Sequence, residues 1–240
     1  MSDNKITSKD IISDYNQIYS GPGIRTSSQY YRWLYTLLRP KSMTALLDVS
    51  CGEGMFLREV SKADPSIKTS GLDISDKAVS IAGLKSSGAD LLVADGQYIP
   101  FKSKTFDYVT CLGSLEHYLD TALGLREIHR VAKDNAGFCI VLPNSLSIDL
   151  FLHVIKEGDK PVEDFQIIEK TATRVEWQKM LAQNGFEIVK VYGSNLWPEF
   201  FQEGTWKVKS IAKFFRRLLI KIFCPVNLAR EFVFICRKKA

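Results

Sequence analysis

The segment Leu46–Leu57 constrains the fold more than any other part of the chain. Its apolar start leads through Asp48 into a short turn that contains Gly52 and Gly54, and a new apolar run follows. Glycine tolerates a positive φ and lets a backbone approach a ligand closely. The segment therefore predicts a buried strand, a tight ligand-binding loop and the start of a helix.

Strand-like and helix-like segments alternate along most of the chain. The predicted strands cover residues 44–50, 67–73, 89–94, 106–112, 137–143, 186–192 and 228–236. The helices predicted between them cover residues 54–63, 75–86, 119–132 and 173–184. Such alternation is typical of a parallel sheet with helices on both faces, and right-handed crossovers make it doubly wound. We predict one α/β domain.

The bulk composition is that of an ordinary globular protein. Hydrophobic residues make up 45% and charged residues 25% of the 240 positions, and no apolar run approaches the roughly 20 residues that span a bilayer. The polar start Met1–Lys5 lacks the apolar core of a secretory signal, so we expect a cytoplasmic location. The five cysteines are scattered without a Cys-x-x-Cys pair, which favours buried thiols over disulfides or zinc ligands.

The positive charge is concentrated in residues 205–223. Six basic residues and no acidic one lie there, and they account for the whole net charge of +5, which disfavours a nucleic-acid-binding surface. On a helical wheel one face of this segment is apolar and the other basic. That pattern fits a helix at a membrane interface, and equally one that packs on its own domain or on a partner. A membrane role would place the protein at the inner membrane face.

The N-terminal region predicts two helices, at residues 9–19 and 26–39. The second is rich in aromatic residues, so it either packs at the edge of the core or belongs to a lid in which Tyr15, Tyr19 or Tyr30 covers a ligand. We divide the chain into an N-terminal helical cap (1–43), a ligand-binding domain (44–192 and 227–240) and a basic amphipathic insertion (193–226).

Acidic residues end three successive predicted strands: Asp48, Asp73 and Asp95. In open α/β sheets, ligands bind outside the carboxyl ends of the strands. Asp73 lies about 20 residues after the glycine turn, the spacing of a carboxylate that accepts from ribose hydroxyls. Ile74 is positioned to contact an adenine face. Asp95 fits an acceptor for the exocyclic amine, with Gly96 leaving space for the ring.

The charge of the loop disfavours a pyrophosphate. A dinucleotide fingerprint would have a third glycine where Leu57 stands, and the Glu53 carboxylate would repel a phosphate. S-Adenosylmethionine (SAM), which carries a sulfonium and an ammonium, suits an acidic loop better than NAD does.

Five segments in order resemble class I SAM-dependent methyltransferases of the type 11 group. They are Leu46–Leu57, Gly71–Ser75, Asp95–Phe101, Phe106–His117 and Leu125–Val131. The resemblance covers roughly residues 44–192 and the strand at 228–236. One departure is Ser50, where the family usually has glycine.

The resemblance implies a seven-stranded, mostly parallel Rossmann-like sheet with an antiparallel last strand. It also implies SAM as cofactor, S-adenosylhomocysteine as product, and cofactor contacts from two groups of residues. Gly52 and Gly54 would approach the methionine part, and Leu112 and Gly113 would line the sulfonium and methyl. The full expected set is Asp48, Ser50, Cys51, Gly52, Gly54, Asp73, Ile74, Asp95, Gly96, Leu112 and Gly113.

Catalysis would need mainly proximity and orientation, and a hydroxyl acceptor would gain from a general base. His117, just after the fourth strand, is the candidate base, although it could equally be a helix-start residue that orients the loop. Glu116 could orient His117. Tyr30 and His153 are weaker candidates for acceptor contacts.

We expect O-methylation of a glycan, a lipid-linked molecule or a small metabolite, with no metal, since no ligand spacing is visible. N- or C-methylation of a small molecule, and a catalytically silent SAM-fold adaptor, remain open alternatives.

Overall fold

The computed structural model describes residues 6–21, 27–86, 88–159, 168–195 and 224–239. Seven strands form one sheet. They are β1 (Ala45–Val49), β2 (Lys68–Asp73), β3 (Asp90–Val93), β4 (Phe106–Leu112), β5 (Ala132–Pro143), β6 (Phe186–Ser194) and β7 (Glu231–Lys238).

Seven α-helices lie in the described part of the chain. They are α1 (Ser8–Ile18), α2 (Ser28–Leu38), α3 (Met55–Ala63), α4 (Asp76–Lys85), α5 (Thr121–Val131), α6 (Ile148–Glu157) and α7 (Arg174–Gln183). Two short 3-10 turns, Leu115–His117 and Val226–Leu228, precede α5 and β7.

The strand order is β3-β2-β1-β4-β5-β7-β6. Strands β1 to β5 pair in parallel, whereas β7 runs antiparallel to both β5 and β6. The order reverses between β1 and β4, and the carboxyl ends of these strands open a crevice there. The predicted doubly wound sheet with an antiparallel last strand is confirmed.

Polar side chains begin the helices around this crevice. The Ser75 hydroxyl accepts from the Ala78 amide at the start of α4, as its position in the sequence predicted. The Asp120 carboxylate accepts from the Leu123 amide at the start of α5. These caps satisfy amides that a helix leaves without internal partners, and they set where each helix leaves the sheet.

Two apolar clusters cover the sheet, one on each face. The first joins α5 and α7 to the strands, with Ile128, Trp177 and Phe138 fully or almost fully buried. The second joins α2 and α3, with Leu34 and Phe56 buried. Burying a side chain of this size contributes about 1.5–3 kcal/mol. The core therefore holds the sheet rigid beneath the crevice.

The structure differs from the predicted elements mainly after β4. Strand β5 begins at Ala132, five residues earlier than predicted, and β7 begins at Glu231, three residues later. Helix α6 was not predicted, although its polar residues Asp149, His153 and Lys156 recur at helical spacing. Ser147 at its N-cap and Gly158, with φ +78° at its C-cap, were the local signals of a helix.

The predicted amphipathic helix at residues 205–223 lies outside the described residues, as does most of the predicted insertion. Among the residues that the structure describes, no helix has the length and apolar character needed to cross a membrane.

Candidate active site

A cleft lies at the carboxyl ends of β1, β2 and β4, where the strand order reverses. It encloses about 920 Å³ of empty space, part of it open to solvent. Loops after these strands and one face of α1 supply its walls. The lining residues are Ser8, Ile11, Tyr15, Tyr19, Tyr31, Ser50, Cys51, Gly52, Glu53, Met55, Asp73, Ile74, Asp95, Gly96, Gln97, Leu112, Gly113, Ser114, His117 and Tyr118.

The glycine loop after β1 is attached to the end of β2. The Asp73 carboxylate accepts from the Gly52 amide at 2.8 Å and from the Ser75 amide at 3.0 Å. Burial raises the pKa of Asp73 above its ordinary value, while these two amides oppose the shift. Asp73 therefore fixes the loop geometry and also presents a buried acceptor to the cleft.

The second half of the loop packs against α4. The Ser86 hydroxyl donates to the Gly54 carbonyl oxygen. Gly54 has φ +71°, and a Cβ there would lie 3.0 Å from the Ala82 methyl. The Glu53 carboxylate forms an ion pair with Lys85. Lys85 therefore offsets part of the Glu53 charge that was expected to repel a phosphate.

The third carboxylate is held in place by a glutamine. Asp95 accepts from the Gln97 backbone amide at 2.8 Å and from the Gln97 side chain at 3.1 Å. The Gln97 side-chain oxygen in turn accepts from the Asp120 amide at the start of α5. The loop after β3 and the N-terminus of α5 are thus joined beside the cleft.

Tyr118 fills the space beside Gly96. Its hydroxyl lies 2.8 Å from the Ser50 hydroxyl, and a Cβ at Gly96 would overlap the Tyr118 Oη and lie 2.7 Å from its Cζ. The sequence argument reserved this space for an adenine ring. In the structure, the absent side chain at Gly96 accommodates the Tyr118 phenol.

Gly124 on α5 makes room for the same ring, since a Cβ there would overlap Tyr118 Cδ2 and lie 2.6 Å from Cε2. Alanine in place of a helical glycine usually stabilises by about 0.5–1 kcal/mol. At Gly124 overpacking outweighs that gain, and we expect Gly124→Ala to lower the free energy of unfolding by about 1–3 kcal/mol in urea titrations.

The matched control is Gly83→Ala on α4. A Cβ at Gly83 would have only Leu91 nearby, at 3.9 Å, so this variant is expected to gain the ordinary helical increment. Equal effects of the two substitutions would contradict the close packing of Gly124 on Tyr118.

One face of α1 forms the roof of the cleft. Ser8, Ile11, Tyr15 and Tyr19 follow helical spacing and all line the cleft. Tyr19 lies over the glycine loop, where a Cβ on Gly52 would lie 2.7 Å from its hydroxyl.

Two side-chain hydrogen bonds tie the end of α1 to the start of α4. The Ser75 hydroxyl donates to Asn16 at 2.5 Å, and the Lys77 ammonium donates to the Ser20 hydroxyl at 2.5 Å. They hold α1 over the cleft from the side where Asp73 and Ser75 end β2.

His117 lies at the inner end of the cleft, in the 3-10 turn after β4. Its Nδ1 is 2.5 Å from the Ile168 carbonyl oxygen, its Nε2 is 3.6 Å from a Glu116 carboxylate oxygen, and its ring meets Tyr15 edge to face. Because a carbonyl only accepts, Nδ1 carries a proton, and Nε2 is the basic nitrogen of the neutral ring.

Lys170 clamps the loop that carries His117. Its ammonium donates to the Tyr118 and Leu119 carbonyl oxygens and to the Thr121 hydroxyl. Its backbone amide donates to the Glu116 carbonyl oxygen. Burial lowers the pKa of Lys170. This clamp, which joins residues about 50 positions apart, holds the inner wall in place.

The lining favours a cationic ligand. Glu53, Asp73 and Asp95 face the cleft, and none of the described lining residues is a lysine or arginine. Burial, followed by the charges of Asp48 and Asp73, raises the pKa of Cys51 well above its ordinary value, so its thiol stays neutral. These carboxylate acceptors therefore suit a molecule with hydroxyls and positive charge, as SAM has.

The structure brings nine of the eleven expected cofactor residues to the cleft lining. The exceptions are Asp48, which accepts from the Thr110 hydroxyl at 2.6 Å within the sheet, and Gly54, which packs on α4. His117 also lines the cleft.

Of the two acceptor candidates, neither lines the cleft. The Tyr30 hydroxyl donates to Glu231 at 3.1 Å, and His153 is half-buried on α6. Tyr31, which follows Tyr30 in the sequence, lines the cleft instead.

Sequence reasoning missed Tyr118, Gln97 and Lys170. The aromatic residue directly after His117 was a weak local signal for the first. Gln97 joins Asp95 to Asp120, which lies 23 positions after Gln97, and Lys170 reaches Tyr118 across 52 positions. Within the described part of the chain, no three histidine, cysteine, aspartate or glutamate side chains cluster as a metal site would require.

Comparison with known proteins agrees with this geometry. Residues 47–140 match the family model of a methyltransferase domain. An uncharacterized protein of Methanocaldococcus jannaschii is 31% identical over 170 residues, which cover 63% of this chain and 64% of that protein. The chain thus spans less than two thirds of this relative. A demethylmenaquinone methyltransferase from Lactobacillus johnsonii is 25% identical over 224 residues, which cover 80% of this chain and 91% of the relative.

Among solved structures, a SAM-dependent methyltransferase from Thermotoga maritima has the same fold. Its TM-score is 0.62 at 15% identity, over 95% of this chain and 94% of that one. Residues 47–140 of this chain thus match a methyltransferase domain, and the sheet order and the solved structure agree in fold with SAM-dependent methyltransferases.

Proposed function

We propose that this chain transfers a methyl group from SAM to a small-molecule acceptor, and that the acceptor atom is a hydroxyl oxygen. The observation that carries the proposal is the cleft at the strand-order reversal, lined by three carboxylates and by no described lysine or arginine. The acceptor class is a glycan, a lipid-linked molecule or a small metabolite.

The chain's own residues account for binding of the cofactor. Asp73 offers a buried carboxylate for ribose hydroxyls while its two backbone partners keep it oriented. Asp95, fixed by Gln97, is the acceptor for the adenine amine. Gly52 and Gly113, at φ +53° and +70°, keep side chains out of the cleft. When bound, SAM supplies a methyl group already activated by its sulfonium.

His117 is the proposed general base. The Ile168 carbonyl accepts from Nδ1, which makes Nε2 the basic nitrogen of the neutral ring and the atom that takes the proton from the acceptor hydroxyl. The Glu116 carboxylate, 3.6 Å from Nε2, stabilises the ring once it is protonated. Tyr15 packs against the ring from α1 and limits the access of water.

C-methylation of a quinone-like ring is the second candidate. Its support is the Lactobacillus johnsonii demethylmenaquinone methyltransferase, which aligns with 80% of this chain. The acceptor in this reaction would be the reduced, hydroquinone form of the ring, which is a phenol and also needs a base to remove a proton, so the same His117 geometry serves both reactions.

Calorimetry with SAM and S-adenosylhomocysteine, followed by turnover with methyl-labelled SAM, tests the proposal. The acceptor panel should contain hydroxylated glycans, lipid-linked sugars, small phenols and demethylated quinones, with the product analysed for the position of the label. We expect SAM binding and transfer to oxygen. Transfer to ring carbon selects the second candidate. Absence of SAM binding would contradict both reactions, and binding without any transfer would favour an adaptor.

We expect His117→Gln to lower kcat by about 10²- to 10⁴-fold, the usual contribution of a general base. The affinity for SAM should stay within about twofold, because Asp73 and Asp95 are unaffected. The parallel variant is His153→Gln, which changes the other candidate histidine, on α6. A large loss of kcat in His153→Gln, or an unchanged kcat in His117→Gln, would refute the assigned base.

A further inference from the structure

The phenol of Tyr118 occupies a site that the fold leaves open for it. Gly96 on one side and Gly124 on the other both lack the Cβ that would overlap the ring or its hydroxyl. The side chain is buried, yet Tyr118 lines the cleft. Its position is therefore set by packing, and its hydroxyl lies 2.8 Å from the Ser50 hydroxyl and also within hydrogen-bonding reach of the Cys111 side chain.

Ser50 adopts a backbone conformation that favours glycine. Its φ is +58°, and the left-handed region is unfavourable for a residue with a Cβ. The hydrogen bond to Tyr118 offsets part of this cost. A serine side chain at this point of the loop brings a hydroxyl to the cleft wall, where glycine would leave only backbone.

The direction of the hydrogen bond follows from the acidity of the two hydroxyls. A phenol is a stronger donor than an alcohol, and the nearby Cys111 sulfur is a weak acceptor. Burial raises the pKa of Tyr118 well above its ordinary value, so the phenol keeps its proton. Tyr118 therefore donates to Ser50, and the Ser50 proton must point elsewhere.

The direction left to the Ser50 proton is the cleft. Among the hydrogen bonds between described residues, Ser50 Oγ has no partner besides Tyr118, and Ser50 lines the cleft together with Gly52 and Asp95. An alcohol that already accepts from a phenol is a better donor, because hydrogen bonds in a chain polarise one another.

We propose that Ser50 is a cofactor-binding residue whose hydroxyl donates to an acceptor oxygen of the adenosyl cofactor, and that Tyr118 is the positioning residue that aims it. The acceptor is an oxygen of the cofactor's carboxylate or of its ribose. This inference rests on the proposed function, since it assumes that an adenosyl ligand occupies the cleft.

The test is calorimetry on the full chain with two ligands, S-adenosylhomocysteine and 5′-methylthioadenosine, which lacks the carboxylate. The variants are Ser50→Ala, Ser50→Gly, Tyr118→Phe and the double variant Ser50→Ala with Tyr118→Phe. Alanine removes the hydroxyl and keeps the Cβ, and glycine also relieves the backbone. The exposed Tyr98, 69% accessible, gives the matched control Tyr98→Phe.

We expect both Ser50 variants to bind S-adenosylhomocysteine about 5- to 20-fold more weakly, the range for one lost hydrogen bond. Tyr118→Phe should weaken binding about 2- to 5-fold, and the double variant should bind no more weakly than Ser50→Ala, because Tyr118 acts through Ser50. A loss confined to S-adenosylhomocysteine assigns the carboxylate as acceptor, whereas an equal loss with both ligands assigns the ribose.

The proposal is overturned if Ser50→Gly binds S-adenosylhomocysteine as tightly as the wild type, or if the losses in the double variant multiply. Urea unfolding without ligand shows whether each variant is folded. Binding by the wild type without methyl transfer would remove the proposed reaction and leave this contact standing. Full turnover together with unaltered affinity in Ser50→Gly would leave the proposed reaction standing and overturn the Ser50 contact. If the wild type did not bind the ligand, the reaction and the contact would both be overturned.

Discussion

Replacing Asp73 with alanine is expected to weaken SAM binding by at least about 100-fold. The substitution removes the carboxylate proposed for the ribose hydroxyls, and hydrogen bonds to a charged group contribute about 1.5–3 kcal/mol each. It also removes the acceptor for the Gly52 and Ser75 amides, so the glycine loop loses its attachment to β2. Calorimetry with SAM measures the affinity, and urea unfolding measures the cost to the fold.

The fold should lose less than the binding site does. Burial raises the pKa of Asp73, which means that keeping this carboxylate charged in the folded protein already costs free energy. Asp73→Asn, which keeps the shape but accepts only through one oxygen, should fall between the wild type and Asp73→Ala. The exposed Asp134, paired with Lys104, gives the control Asp134→Asn. Unchanged SAM affinity in Asp73→Ala would refute the assigned site.

Gly96→Ala is expected to disable the site by packing alone. The new Cβ would overlap the Tyr118 hydroxyl and lie 3.0 Å from Val49 Cγ1, and on its other side the ring already occupies the space beside Gly124. Overpacking of a filled core costs typically 1–3 kcal/mol, and we expect about 2–3 kcal/mol in urea unfolding. Calorimetry should show SAM affinity reduced by at least about 30-fold, since the loops that carry Ser50 and Asp95 are displaced together.

A second substitution separates this mechanism from direct loss of an adenine contact. Tyr118→Phe removes the overlapped oxygen, so the double variant with Gly96→Ala should regain part of the stability and part of the affinity. Failure of Tyr118→Phe to recover either quantity would show that Gly96 acts through the ligand and not through the phenol.

The alternation of strands and helices was predictable because it rests on local periodicity. Strand β4 carries its apolar, mostly buried run within seven residues, and its bounds Phe106–Leu112 agree with the prediction. Helix α6 was not predicted, although its polar and apolar residues follow a helical period, and none of its residues is buried.

The carboxylates of the cleft were partly predictable. Residues at the carboxyl ends of parallel strands converge, which is why Asp73 and Asp95 could be placed together. Asp48 pairs with Gly71, two residues before Asp73, so it lies deeper in the sheet, where its side chain accepts from the paired Thr110 on β4. Only the register of the strands decides how near to the cleft each carboxylate lies.

The sequence by itself determined the doubly wound fold and the loops that form the cleft, because those properties follow from short-range patterns at strand ends. The tertiary structure decided what fills and fixes the cleft. Tyr118 meets Ser50 across 68 positions, and Lys170 reaches Tyr118 across 52. Such pairings depend on how loops from different strands pack together, and no local pattern in the chain encodes that packing.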